Sequence, residues 1–157
     1  MNSLDLNPVL EDISFVQRYQ KLCEDYNNFE NRMKGLHTEL YERVLKACNV
    51  NYIYFKRERF FKVVESYNDY IFTLQLILKD GIIEPSINIK YKGIYYFPNG
   101  RFDFIPQKMG LAFDRKKYNL PKYSNEGELS QIIGEISLIF KDIIRVLINR
   151  NNNIYLH

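Results

Sequence analysis

Two stretches decide the fold between them: FVQRYQKLCEDYNNFENRMKGLHTEL (residues 15–40) and NDYIFTLQLILK (residues 68–79). In the first, apolar side chains recur at Phe15, Tyr19, Leu22, Tyr26, Phe29, Met33, Leu36 and Leu40. Only a helix places that alternation of four and three on one side. In the second, Tyr70, Phe72, Leu74, Leu76 and Leu78 recur every second residue, the period of a strand with one buried face. The change of period near residue 50 predicts an α+β fold. Its parts are a long N-terminal helix, an antiparallel β-meander of four to five strands, and a C-terminal helix packed on the sheet.

Outward from those stretches, Ser14 with Gln17, or Asp12, can cap the first helix, and the helical pattern runs to Cys48. Unbroken, such a helix is about 52 Å long, more than the roughly 40 Å diameter of a compact domain of this length. Asn27-Asn28 and Gly35 are its weak points; the expectation is one long, bent helix covering a sheet. Its aromatic-rich core positions do not suit a two-stranded coiled coil. FKRERFFKVVES and NDYIFTLQLILK read as successive strands around a turn at Ser66–Asp69, and Lys79-Asp80-Gly81 as the next turn. SINIKYKGIYYF alternates again, and Pro98-Asn99-Gly100 starts a hairpin into RFDFI. Residues 106–124 have no period and two prolines, the marks of a long surface loop. Ser124 or Asn125 then caps a second helix carrying Leu129, Ile132, Ile133, Ile136, Phe140, Ile143 and Leu147 to about Arg150. The reading is one domain over 1–157, with 1–11 and 151–157 flexible.

Chemistry is hard to place on this chain. It has two histidines, two cysteines and seven scattered glycines, with no CxxC, HExxH, GxSxG or phosphate-loop spacing. On one long helix Cys23, His37 and Cys48 stand three or more turns apart, too far for a Cys–His pair or a disulfide. The cysteines therefore read as reduced core thiols, and no metal, cofactor or catalytic residue is assigned. The short apolar runs and the acidic N-terminus give no membrane span and no secretory signal, which points to the cytoplasm. The expectation is a protein that is not an enzyme.

The net charge of +3 is unevenly placed. Arg115, Lys116, Lys117 and Lys122 face Asp114 alone within 111–123, interleaved with Tyr118 and Tyr123. Lys56, Arg57, Arg59 and Lys62 form a second basic group on the first predicted strand. Basic and aromatic side chains mixed in this way suit a nucleic-acid backbone with base stacking. An isoelectric point near 8.7 without a recognisable nucleic-acid-binding motif argues the other way. Tyr and Arg also suit a protein interface, because each joins a large contact area to a polar group, and the chain has 13 tyrosines.

The segment LYERVLKACNVNYIYFKRERFFKVVESYNDYIFTLQLILKDGIIEPSINIKYKG resembles immunity proteins of bacterial polymorphic-toxin and contact-dependent inhibition systems. A helix leads there into a basic-aromatic strand, a strand of Gln and aliphatics, and an alternating strand, over about residues 39–105. The resemblance implies an intracellular protein that binds a cognate toxin domain tightly and occludes its active site; the chain itself is read as a monomer or homodimer. The expected contact residues, read from the sequence itself, are Arg115, Lys116, Lys117, Tyr118, Lys122, Tyr123, Lys56, Arg57 and Arg59. The alternative partner face is the acidic stripe Glu24, Asp25, Glu39 and Glu42. The alternative function is a nucleic-acid-binding accessory protein using the loop 114–123.

Overall fold

A computed structural model describes residues 4–155, the side chains of 153–155 aside. The chain begins with β1 (Leu4–Asp5), α1 (Asn7–Asp12) and α2 (Phe15–Asp25), then α3 (Thr38–Ala47). The strands β2 (Ile53–Phe55), β3 (Phe60–Tyr67), β4 (Tyr70–Lys79), β5 (Ile82–Tyr91), β6 (Ile94–Phe97) and β7 (Gly100–Arg101) follow. The short α4 (Ile105–Lys108) and the 30-residue α5 (Glu126–Tyr155) complete it. The α+β class and the mostly antiparallel sheet are as expected, but the sheet is larger. Seven strands run in the order β1-β6-β5-β4-β3-β2, with β7 beside β5. Among the described residues only the β1–β6 pair is parallel.

The long first helix does not exist as one piece. It ends at Asp25 and resumes at Thr38 as α3, so both weak points fall in the break. Asn28 Oδ1 accepts the Asn31 N–H, and the Phe29 N–H donates to the Asn27 carbonyl, a local alternative to helix. The intervening segment crosses the β4–β5 turn, where Gly35 N–H donates to Asp80 Oδ1 at 2.9 Å and Asp80 N–H to the Gly35 carbonyl at 3.0 Å. Gly81 makes the crossing possible. Its φ is +74°, and a Cβ there would stand 2.4 Å from Arg32 Cβ and 2.8 Å from the Met33 nitrogen. His37 is therefore the N-cap residue of α3 and not an interior helical histidine.

One face of the sheet supplies the core. Tyr70, Phe72, Leu74, Leu76 and Leu78 of β4 and Ile83, Ile87 and Ile89 of β5 pack with Phe15, Tyr19, Tyr41, Leu45 and the inner stripe of α5. Each such side chain contributes roughly 1.5–3 kcal/mol on burial. In the N-terminal segment Leu6, Val9 and Leu10 are at most 2% exposed and belong to that core, while Asp5 and Glu11 are exposed; residues 1–3 lie outside the described part. At the other end α5 continues through Asn151 to Tyr155, and residues 156–157 lie outside the described part. Asn125 caps α5 through the Glu128 N–H, while the Glu128 carboxylate accepts the Ser124 N–H at 2.7 Å.

Three further expectations change. The first predicted strand is a hairpin: β2 turns at residues 56–59 into β3, and Arg59 has a left-handed φ of 60°. Lys56, Arg57 and Arg59 thus stand at a turn, and only Lys62 lies on a strand. Pro98-Asn99-Gly100 turns the chain back to β5 instead of β6: Ile87 pairs Gly100 and Ser86 pairs Arg101. Of RFDFI only Arg101 belongs to a strand, the short β7; Phe102–Phe104 turn the chain into α4, which starts at Ile105.

Candidate functional site

The basic-aromatic loop is only partly a surface. Residues 121–123 complete the outer edge of β5, where Ile83 N–H donates to the Pro121 carbonyl and Ile82 bridges Lys122. Tyr123 is fully buried, with its hydroxyl 2.7 Å from that of Tyr41, and burial raises its phenol far above the ordinary value. It cannot touch a partner. Lys122 is half-buried and donates to the Leu120 carbonyl at 2.6 Å; desolvation lowers its ammonium pKa. Tyr118 packs on Phe113 with ring centres 5.4 Å apart.

Arg115 is engaged inward as well. Its Nη2 donates to Asp103 Oδ2 at 3.0 Å, and its guanidinium lies 3.5 Å from the centre of the Phe104 ring. Asp103 is 2% exposed, so its charge needs partners. Arg101 supplies the others, donating from Nε at 3.1 Å and Nη2 at 3.0 Å, and its Nη1 also meets Glu84 at 2.6 Å. Of the loop residues proposed for contact, Lys116 and Lys117 remain exposed.

The acidic stripe is divided by the helix break. Glu24 and Asp25 end α2, Asp25 pairing Lys21 at 3.0 Å, while Glu39 and Glu42 lie in α3. Burial, and then the Glu42 carboxylate, raise the Tyr52 phenol. These four carboxylates do not form one helical face.

A different surface emerges from the strand register. Antiparallel partners point to the same side of a sheet, so the core-facing set leaves a second set on the opposite face. That set comprises Lys62 and Val64 of β3, Ile71, Thr73 and Gln75 of β4, Ser86, Asn88 and Lys90 of β5, and Tyr95 of β6. Together with Asn99 and Gly100 they line a shallow depression of about 490 Å³. No helix lies in that lining. Lys62 and Lys90 occupy opposite corners, and Thr73, paired to Val64 on one side and Asn88 on the other, sits between them. Val64, Ile71 and Tyr95 are 43%, 37% and 53% exposed, large values for side chains on a sheet face. Hydroxyls, amides and ammonium groups around apolar side chains offer hydrogen bonds, charge and contact area together.

This face was legible in the alternation of β4 and β5, but not its exposure: Ile71, Thr73 and Gln75 fit a sheet covered on both sides equally well. In the sequence Lys62 stands out within a basic group, whereas Lys90 is only one of the polar residues that alternate in SINIKYKGIYYF.

Among the described residues no group of three His, Cys, Asp or Glu is placed to hold a metal ion, and no helix is long and apolar enough to cross a membrane. Cys23 and Cys48 are free thiols. Burial pushes the Cys23 thiol up to about 12, and it donates to the Asn119 carbonyl at 2.6 Å. Comparison with protein-family models, curated proteins and solved structures gives no match, so the reading of this surface rests on the chain's own residues.

Proposed function

We propose that this protein acts by binding and not by catalysis, as an immunity protein that occludes a cognate bacterial toxin domain in the cytoplasm. The observation that carries the reading is the open sheet face, a depression of about 490 Å³ combining exposed apolar side chains with hydroxyls, amides and two lysines. A partner set into it covers Val64, Ile71 and Tyr95 while the polar groups fix its orientation. The rigid β3–β4–β5 ladder beneath holds these groups in place before binding, which lowers the ordering cost of association. The resemblance of residues 39–105 supports the toxin as partner. The test is growth rescue: the toxin domain encoded by the neighbouring gene is expressed in a bacterial host with and without this protein. Restored growth with co-purification is the expected result, and toxicity left unrelieved overturns the reading.

One observation favours a second reading, nucleic-acid binding. Lys56, Arg57 and Arg59 are all exposed at the β2–β3 turn, next to the stacked Phe55 and Phe60 rings. DNA binding that collapses between about 50 and 200 mM salt is the outcome that would support it.

A further inference from the structure

We infer that the open sheet face recognises an acidic protein surface, with carboxylates placed to meet Lys62 and Lys90 at opposite corners of the depression. The inference deepens the binding reading above and rests on it. Its first support is the charge of the face. Glu84 also lies on this side of β5, but it is bound to Arg101 at 2.6 Å. Arg101 in turn is shared with buried Asp103. Glu84 and Arg101 therefore neutralise each other within the fold. Lys62 and Lys90 have no carboxylate partner among the described residues. Their contacts are with aromatic rings: the Lys62 ammonium is 5.8 Å from the Phe55 ring centre and the Lys90 ammonium 5.8 Å from that of Tyr95. Two uncompensated cations thus border a depression whose lining residues include no Asp or Glu to repel an acidic visitor.

The register gives the spacing. Lys62 pairs Gln75 and Lys90 pairs Ile71, so the lysines are four residues apart along β4 and two strand intervals apart across the sheet. That is about 13 Å one way and about 10 Å the other, hence about 16 Å between their Cα atoms along the diagonal. A partner satisfies both with two acidic side chains at a comparable separation, and apolar atoms between them meet Val64 and Ile71. Carboxylates on a protein fit better than phosphates. The forked arginines of the neighbourhood, Arg101 and Arg115, are turned to Asp103, which leaves point-charge lysines amid amides and apolar side chains. That composition is one of a protein contact.

The experiment uses the full chain, isotopically labelled, with poly-L-glutamate as probe and single-stranded oligothymidylate and poly-L-lysine as comparators. Amide resonances are followed by NMR at low salt. Poly-L-glutamate is expected to shift Lys62, Val64, Thr73, Asn88 and Lys90 as a contiguous set, with affinity reduced on the order of tenfold or more by K62E/K90E. Circular dichroism checks that this variant folds, and K62Q/K90Q, which removes charge without reversing it, provides a second reading. Shifts confined to the β2–β3 turn or to Lys116 and Lys117 overturn the inference. So does tighter binding of the oligothymidylate to the same face, which would assign it to nucleic acid. The toxin-rescue result is independent: failed rescue with a mapped polyglutamate site removes the toxin and leaves the acidic-partner face. Rescue with no response on this face moves the interface elsewhere.

Discussion

Reversing the charge of Arg115 separates a recognition loop from a structural one. On a solvated basic patch, R115E would weaken partner capture and leave stability unchanged. The structure predicts a stability loss. The substitution removes a hydrogen bond to the buried Asp103 carboxylate, worth about 1.5–3 kcal/mol for a charged acceptor. It also removes the stacking on Phe104, worth about 0.5–1 kcal/mol at a partly exposed site. The new carboxylate would meet Asp103 with a repulsion of about 4 kcal/mol at 4 Å and an effective dielectric of 20. Most of that is relieved, because the Arg115 side chain is 34% exposed and a Glu there turns to water. Arg101 keeps both of its bonds to Asp103. The net loss is about 2–4 kcal/mol, a fall in Tm of about 4–16 °C for a chain of this size. The control is K116E/K117E. Both side chains are exposed, and the Asp114 carboxylate that orders this turn accepts their backbone N–H groups, which the substitutions leave in place. That variant changes stability by less than about 0.5 kcal/mol. Thermal unfolding followed by circular dichroism measures both, and R115E melting with K116E/K117E would refute the structural role of Arg115.

Y123F deletes the hydroxyl that bonds Tyr41 inside the core and costs about 1–2 kcal/mol in urea unfolding, chiefly through the buried Tyr41 hydroxyl left short of a partner. Asp142 gives a pH signature: burial opposes its ionisation, but hydrogen bonds from Arg18 at 2.8 Å and Arg145 at 3.3 Å hold its carboxyl below the ordinary range. A folded pKa lower than the unfolded one contributes stability that is complete above about pH 4 and lost as pH falls through the folded value. The Tm deficit of D142N should therefore be largest at neutral pH and shrink as the pH falls below about 4, as calorimetry across that range would read. The high pKa of Cys23 and its contact with Asn119 predict one thiol reactive toward a disulfide reagent at pH 8, Cys48, and two after unfolding. Equal native reactivity of both thiols would contradict that burial.

How far the sequence carried the fold depended on whether local signals agreed with one another. In β4 alternation and turn residues point the same way, and Tyr70–Lys79 forms where expected; the alternation of SINIKYKGIYYF is instead divided between β5, which already starts at Ile82, and β6. Residues 26–37 are the opposite case. Tyr26, Phe29, Met33 and Leu36 keep a helical period, yet the backbone leaves the helix. Phe29 is 54% exposed under the Arg32 guanidinium, and Met33 N–H donates to the Tyr123 carbonyl instead of continuing the turn. Periodicity measures what a helix would bury if it formed, and here the crossing over Asp80-Gly81 satisfies the same backbone groups through long-range partners. No window of a dozen residues contains that information.

The same limit applies to the loop 114–123. A loop rich in Arg, Lys and Tyr looks solvated when its partners lie elsewhere in the chain. Arg115 reaches Asp103, twelve residues away, and Tyr123 reaches Tyr41 across 82. With 121–123 covering the β5 edge, the loop works as part of the scaffold. What the fold leaves uncovered is the outward half of each alternation, which from sequence alone is only the polar side of a strand. A sheet with helices on one side gives that half a function only when it holds more than solvating residues. Here it holds apolar Val64 and Ile71 between two lysines that have no carboxylate partner among the described residues. For a surface kept only for solubility, Val64→Thr and Ile71→Thr would be neutral to every property of the protein. For a binding face they would leave the fold intact and weaken partner capture, a difference that the rescue assay and a melting curve read side by side.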